Sequence, residues 1–248
     1  MNLALRFGSI ALLLAVWEVG SYLIGPRLLP EPHTVALAIV HEARSGALAF
    51  NLAVTLWRVV ASFTIAMALG SVVGLAMGRV RLVDRLADPW LVVLLNLPAL
   101  VIIVLAYIWA GLTETAAIAA VALNKLPIAI VTVREGARAL DPTLDEMATV
   151  FRMSGWVRLR HVTLPQLAPY FAAATRSGLS LVWKIVLIVE MLGRPNGVGF
   201  EIGVAFQLFD VTRILAYSLV FIVVMLAIET FLVQPLERYV SRWRLKPA

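Results

Sequence analysis

Apolar residues fall in long unbroken blocks, at neither the two-residue period of a half-buried strand nor the 3.6-residue period of a water-facing helix. Six blocks stand out, at 7–24, 52–78, 89–110, 115–133, 169–192 and 214–235. About 20 apolar residues cross a bilayer as a helix, so each block predicts one membrane span, and no block shows the alternation of a membrane barrel. Arg6 before the first block resembles the start of a secretory signal, but the block is long and no small-x-small site follows before Pro26, so it is read as a helix. Pro98 and Pro127 lie inside blocks, where each removes a backbone donor and should kink its helix.

The segments between blocks differ in kind. Leu29-Pro30-Glu31-Pro32 followed by 35–40 and then His41, Glu42 and Arg44 reads as a turn feeding a short amphipathic helix. The gap 134–168 is helical by composition. Asp141-Pro142-Thr143 can open a helix, Asp145 and Glu146 suit the positive end of its dipole, and Ser154-Gly155 then Pro165 and Pro169 mark breaks. A helix over 145–156 is expected. Nothing divides the chain, so residues 1–248 read as a single transmembrane domain carrying a loop at about 141–165.

Composition agrees: 61% of the 248 residues are hydrophobic and 15% charged, against roughly 25% charged in soluble domains. The net charge of +6 would suggest nucleic acid in a soluble protein. Here it reflects basic segments beside a membrane, and no nucleic-acid partner is expected. The N-terminus, 79–88, 134–168 and the tail from 236 carry 13 Lys and Arg, against 4 in the alternate gaps. The positive-inside bias puts both termini in the cytoplasm. With no cysteine there is no disulfide or thiol nucleophile. His33, His41 and His161 are scattered over both sides of this topology, no zinc-protease or Gly-x-Ser-x-Gly spacing occurs, and no lysine sits in a Walker loop. The chain is therefore expected not to be an enzyme, and any ATP hydrolysis belongs to another chain.

The segment from Glu146 to Pro165 resembles the signature loop of ABC importer permeases. In that loop Glu-Ala-Ala is followed by Gly at fixed spacing and later by Leu-Pro. Glu146, Ala148, Val162, Leu164 and Pro165 match. Met147 replaces the middle Ala, and Arg152 stands where the family has Gly, with Gly155 three positions too late. Leu29-Pro30-Glu31-Pro32, Thr55-Leu56-Trp57-Arg58-Val59, the spacing of Gly70, Gly74 and Gly78, Leu97-Pro98, Trp109-Ala110-Gly111, Asp141-Pro142, and Glu190-Met191 with Gly197-Val198-Gly199 are similar, in order, to permeases of the nitrate, taurine and alkanesulfonate family.

That resemblance implies an all-α, polytopic type I permease fold with six transmembrane helices and a cytoplasmic coupling helix in the bacterial inner membrane. It implies a permease pair, most simply a homodimer, working with two ABC ATPase subunits that bind ATP and Mg, and a periplasmic or lipid-anchored solute-binding protein. The function implied is ATP-driven import of a small anionic solute such as nitrate, a sulfonate, taurine or an aromatic acid. A neutral pyrimidine-type vitamin precursor, or a membrane scaffold without transport, are the alternatives.

Residue roles follow as expectations. Coupling to the ATPase would fall to Glu146, Met147, Ala148, Val150, Phe151, Arg152, Ser154, Gly155, Trp156, Leu164 and Pro165. By pattern alone this amphipathic stretch could equally lie on membrane lipid. Gly70, Gly74 and Gly78 share one helix face, for packing within the subunit or at a dimer seam. Lys125 and Lys184 fall near mid-bilayer, where a bare ammonium costs at least ~2.5 kcal/mol. They are either cations of a solute passage, together with Asn124, Trp183 and Glu190, or structural partners of Glu190 and Glu18. Arg58 and Arg176 lie near span ends and can snorkel.

Overall fold

The computed structural model describes residues 3–241, and helices with short connections account for nearly all of them. Their order is α1 (Leu3–Ile24), α2 (Pro32–Arg44), α3 (Ala47–Arg79), α4 (Arg81–Asn96), α5 (Ala99–Ala110), α6 (Glu114–Arg138), α7 (Pro142–Val150), α8 (Gly155–Arg158), α9 (Leu164–Gly193), α10 (Val198–Gln207), α11 (Val211–Ile228) and α12 (Gln234–Ser241). π-helical turns at Leu159–Thr163 and Glu229–Val233 join α8 to α9 and α11 to α12. Among the described residues, four helical stretches are long and apolar enough to cross a membrane: Ala47–Arg79, Glu114–Arg138, Gly155–Gly193 and Val211–Leu236. The first block contributes a shorter apolar helix, Gly8–Ile24.

The block at 89–110 is not one straight span. α4 and α5 meet at 98°, so together they make a fifth candidate span that is broken or re-entrant. Leu97 and Pro98 are both extended, at ψ 124° and 134°. The proline ring forces the residue before it out of the helical region and withholds its own N–H, so two successive residues leave the helix. The gap expected at 79–88 is accordingly the first half of α4. Pro127, in contrast, stays within continuous α6.

Contacts group the chain into two units, one comprising the chain up to Leu56 with Glu190–Met225, the other Trp57–Val189 with the chain from Leu226 onward. In the first, the Trp17 indole donates to the Pro30 carbonyl (2.9 Å), which holds the turn after α1. Arg213 of α11 lies between Glu201 (2.8 Å) and Glu42 (3.6 Å), and the Tyr217 hydroxyl donates to Glu42 (2.9 Å). These bonds tie α2 and α10 to α11.

In the second unit α6 is the central element. Gly70, Gly74 and Gly78 of α3 face it: a Cβ would meet Ala129 at 2.6 Å from residue 70 and the Ile130 carbonyl at 2.6 Å from residue 74, and would overlap Ala137 from residue 78. Absent side chains let two backbones approach and gain dispersion contacts, the main attraction between helices where lipid is as apolar as protein. On its other sides α6 packs Ala117 and Val121 against Ile103 and Tyr107 of α5 and Val186 of α9, all buried. Near its C-terminal end Arg134 pairs with Asp88 (2.6 Å) and Asp84 (3.4 Å), an i, i+4 couple on α4.

Candidate functional site

The segment matching the permease loop forms a capped helix. Asp141 is the N-cap of α7: its carboxylate accepts from the Thr143 amide (2.8 Å) and hydroxyl (2.7 Å), and those bonds, the hydroxyl's first, hold it below the usual carboxylate range. Pro142 fills the first helical position, where no donor is needed. Asp145 in the first turn receives Arg158 (2.9 Å) and Arg79 (2.5 Å). The Arg158 hydrogen bond, then that of Arg79, holds its carboxyl down at about 2. Asp145 thus fastens α7 to the end of α3 and to α8.

The far end of α7 departs from the expected helix over 145–156. α7 stops at Val150, and Arg152 takes a left-handed conformation at φ 49°. The Arg152 amide donates to the Thr149 carbonyl (3.0 Å) and the Met153 amide to the Ala148 carbonyl (2.9 Å), the paired bonds of a Schellman stop. The tight turn expected of a glycine therefore exists here with an arginine in it. Ser154 and Gly155 then open α8, and Leu164 and Pro165 open α9, where proline is tolerated in the first turn. Ala148 is buried, while Glu146, Met147, Val150, Phe151 and Trp156 are exposed. Pro142, Asp145, Glu146, Thr149, Val150 and Arg158 line a shallow open groove beside them.

The charged residues inside the spans are treated separately by the fold. Arg58 does not snorkel: it is 2% exposed and bidentate to Glu114 at the start of α6, at 2.7 and 2.9 Å. Arg176 is exposed, 3.9 Å from Glu229. Lys125 is fully buried where α6 crosses α9, its ammonium donating to the Ala174 carbonyl (3.2 Å). A Cβ at position 178 would overlap its ammonium, so only glycine leaves the notch open. Gly136 of α6 reciprocally receives the Tyr170 ring of α9. Asn124 and Trp183 are half-buried. Lys184 is exposed on α9, on the side opposite the buried residues Gly178, Val182, Ile185 and Val189. The two lysines are therefore not brought together.

Glu190 is fully buried in its own unit and serves as a helix cap supplied from another helix. Its carboxylate accepts from Thr55 (2.9 Å) and from the Gly199 amide (2.9 Å). Thr55 in turn accepts from the Val198 amide (2.9 Å), and Asn51 accepts from the Gly197 amide (2.8 Å). Three successive N–H groups at the start of α10, which no intrahelical carbonyl can satisfy, are thus met by side chains of α3 and α9. Gly197 is required twice over, by its φ of 109° and because a Cβ would overlap the Glu190 carboxylate. Sequence reasoning missed Asn51 and gave Thr55 no role beyond its place in a matching motif; their partners lie about 140 positions away. The available signal was two hydrogen-bonding residues at i, i+4 on an apolar helix, which need buried partners.

A helical membrane chain with a capped, protruding loop helix finds its match in known proteins: residues 46–244 fit the binding-protein-dependent transport system inner membrane component. The chain belongs to that permease family. It falls in the alkanesulfonate, taurine and nitrate group of ABC importer permeases. It is 28% identical over 236 residues to a protein named as an aliphatic sulfonates transport permease in Bacillus subtilis, covering 94% of this chain and 85% of the relative. To the Escherichia coli protein of the same description it is 31% identical over 233 residues, 93% of this chain and 88% of the relative. To the taurine transport system permease of Escherichia coli it is 26% identical over 249 residues, 98% and 90% of the two chains. The relatives are transport permeases, not enzymes.

Proposed function

We propose that this permease forms the translocation pathway of an ATP-driven importer for a small anionic solute, with an aliphatic sulfonate or a taurine-like compound as the leading class. All 248 residues act as one transmembrane permease domain with six spans, the bent α4–α5 pair counting as one, in the bacterial inner membrane with both termini in the cytoplasm. Two copies of the chain pair, two ATPase subunits bind ATP and Mg on the cytoplasmic side, and a binding protein delivers solute from outside. α7 is the coupling helix.

The observation that carries this reading is α7 itself. Val150 and Phe151 protrude from a helix whose two ends are pinned by Asp141, Asp145 and the Arg152 turn, so force applied there moves α3 and α9 instead of unwinding the loop. Apolar side chains presented this way on a short helix suit insertion into a groove on another protein. The sulfonate class rests on the names of the relatives and on the cations within the spans.

The test is co-purification and transport. The double variant Glu146→Lys, Phe151→Asp should lose ATPase binding, or ATPase activity that responds to solute-loaded binding protein, while membrane insertion is unchanged. Wild-type ATPase binding and transport in that variant would sink the assignment of α7.

A further inference from the structure

We propose that the side of α9 carrying Lys184 is an oxyanion-attracting face of the solute passage, continued along the helix by Ser180 and Arg176, and that Lys125 takes no part in it. The inference rests on the importer reading and gives it a residue and a ligand chemistry. Residues 176, 180 and 184 follow at i, i+4 and i+8, so they share one side of the helix over about 12 Å. The same side carries Ala173, Ile188 and Met191, all exposed, and no acid. The opposite side, with Ala174, Gly178, Val182, Ile185 and Val189, is the one buried against α5 and α6.

A lysine midway along an apolar span must face water, an acid or an anionic solute. Lys184 is exposed and makes no ion pair among the described residues, whereas Arg176 has Glu229 at 3.9 Å. Lys125 is sealed in its notch at Gly178, on the other side of α9, with no exposed surface. Of the two mid-span lysines, Lys184 is the one that offers its charge to a passing solute. A small oxyanion such as a sulfonate complements it, and a single exposed cation favours weak, transient attraction over tight binding, as release requires.

The sequence has no cysteine, so an introduced thiol is the sole thiol of this chain, and label is read on the permease band after the subunits are separated. Ser180→Cys, alone and with Lys184→Met, is reconstituted with its ATPase and binding protein in liposomes. It is then labelled with sulfonatoethyl methanethiosulfonate or with the trimethylammonium reagent of similar size. One turn separates residue 180 from residue 184, about 6 Å, at which a unit charge enriches an anion about threefold even in the dielectric of bulk water. The sulfonate reagent should react faster than the cationic one, and Lys184→Met should slow it at least threefold while speeding its counterpart. Thiols that react only after denaturation, or at rates indifferent to residue 184, would overturn the inference. The same vesicles report ethanesulfonate uptake. No ATP-dependent uptake by the unsubstituted transporter overturns the importer reading and this inference with it. Intact uptake with labelling indifferent to residue 184 overturns only the inference.

Discussion

Arg152 occupies a backbone conformation that suits glycine, and Arg152→Gly should stabilise the protein. A residue with a Cβ in the left-handed region is disfavoured by roughly 1–2 kcal/mol, because the Cβ crowds the following carbonyl. Arg152 sits at φ 49° and its amide is already committed to the Thr149 carbonyl, so the turn cannot relax without losing the helix stop. The side chain is exposed and makes no ion pair among the described residues. Glycine therefore removes the strain and forfeits no described contact. Against this, glycine widens the unfolded ensemble, which costs about 0.4–1 kcal/mol. The balance is a gain of about 0.5–1 kcal/mol, a rise of roughly 1–4 °C in unfolding midpoint for a chain of this size.

The assay is thermal unfolding in one detergent across a series at position 152. The expected order of midpoints is Gly, then Asn, then Arg, with Val lowest because a β-branched side chain tolerates positive φ worst. A midpoint for Arg152→Gly below wild type, or Val equal to Gly, would refute the reasoning. Solute-stimulated ATPase activity separates a second role: if the guanidinium itself touches the ATPase, Arg152→Gly uncouples while still raising the midpoint.

Gly178→Ala should destabilise by about 1–3 kcal/mol, since the new methyl falls on the Lys125 ammonium. In a Lys125→Ala background the same change should instead gain about 1 kcal/mol of helix propensity, and equal costs in both backgrounds would refute the notch. Asp145→Asn should cost at most about 2 kcal/mol at neutral pH. The Asp145 carboxyl is held down at about 2 by Arg158 and Arg79, so its contribution is complete above the ordinary value near 4 and is lost as pH falls through about 2. The midpoint difference between variant and wild type should be flat from about pH 5 to 8 and shrink below about pH 4; a gap widening into acid contradicts this. Glu190→Ala should destabilise by about 2 kcal/mol or more, because the Gly199 amide and Thr55 hydroxyl lose their acceptor, while Glu190→Gln retains most of that stability. Unchanged unfolding midpoints with lost flux in both would place Glu190 in the passage instead.

What the sequence made legible was whatever depends on neighbours along the chain. The apolar blocks, the start of α7 at Asp141-Pro142 and the outline of α2 after Pro32 all follow from residues within a turn of each other. The bend at Leu97-Pro98 was half legible, since a proline marks a weak point, but Pro127 has the same chemistry and stays inside α6. Whether a helix closes over a proline depends on what packs around it, which run length does not report. The end of α7 was misplaced because an arginine in the left-handed region carries no compositional signal. The partners of Glu190 were invisible for another reason: spacing suggested Lys184, six residues earlier, whereas the acid accepts from an amide of α10 and a hydroxyl of α3.

The ionisable residues within the spans show why such partners decide function. Charge in an apolar layer is unfavourable until something compensates it, and the fold compensates most of these groups internally. Arg58 is neutralised by Glu114, Glu190 by hydroxyl and amide donors, and Lys125 is closed off beneath Gly178 with the Ala174 carbonyl. A charge satisfied within the fold has little left to offer a solute, because attracting one would mean breaking bonds already made. Lys184 alone of these four points outward from the packed side of its helix. On the proposed reading its compensation comes from water or from an anionic solute in the passage. Of these four, the residue left without an internal partner among the described residues is therefore the one on which solute charge should act.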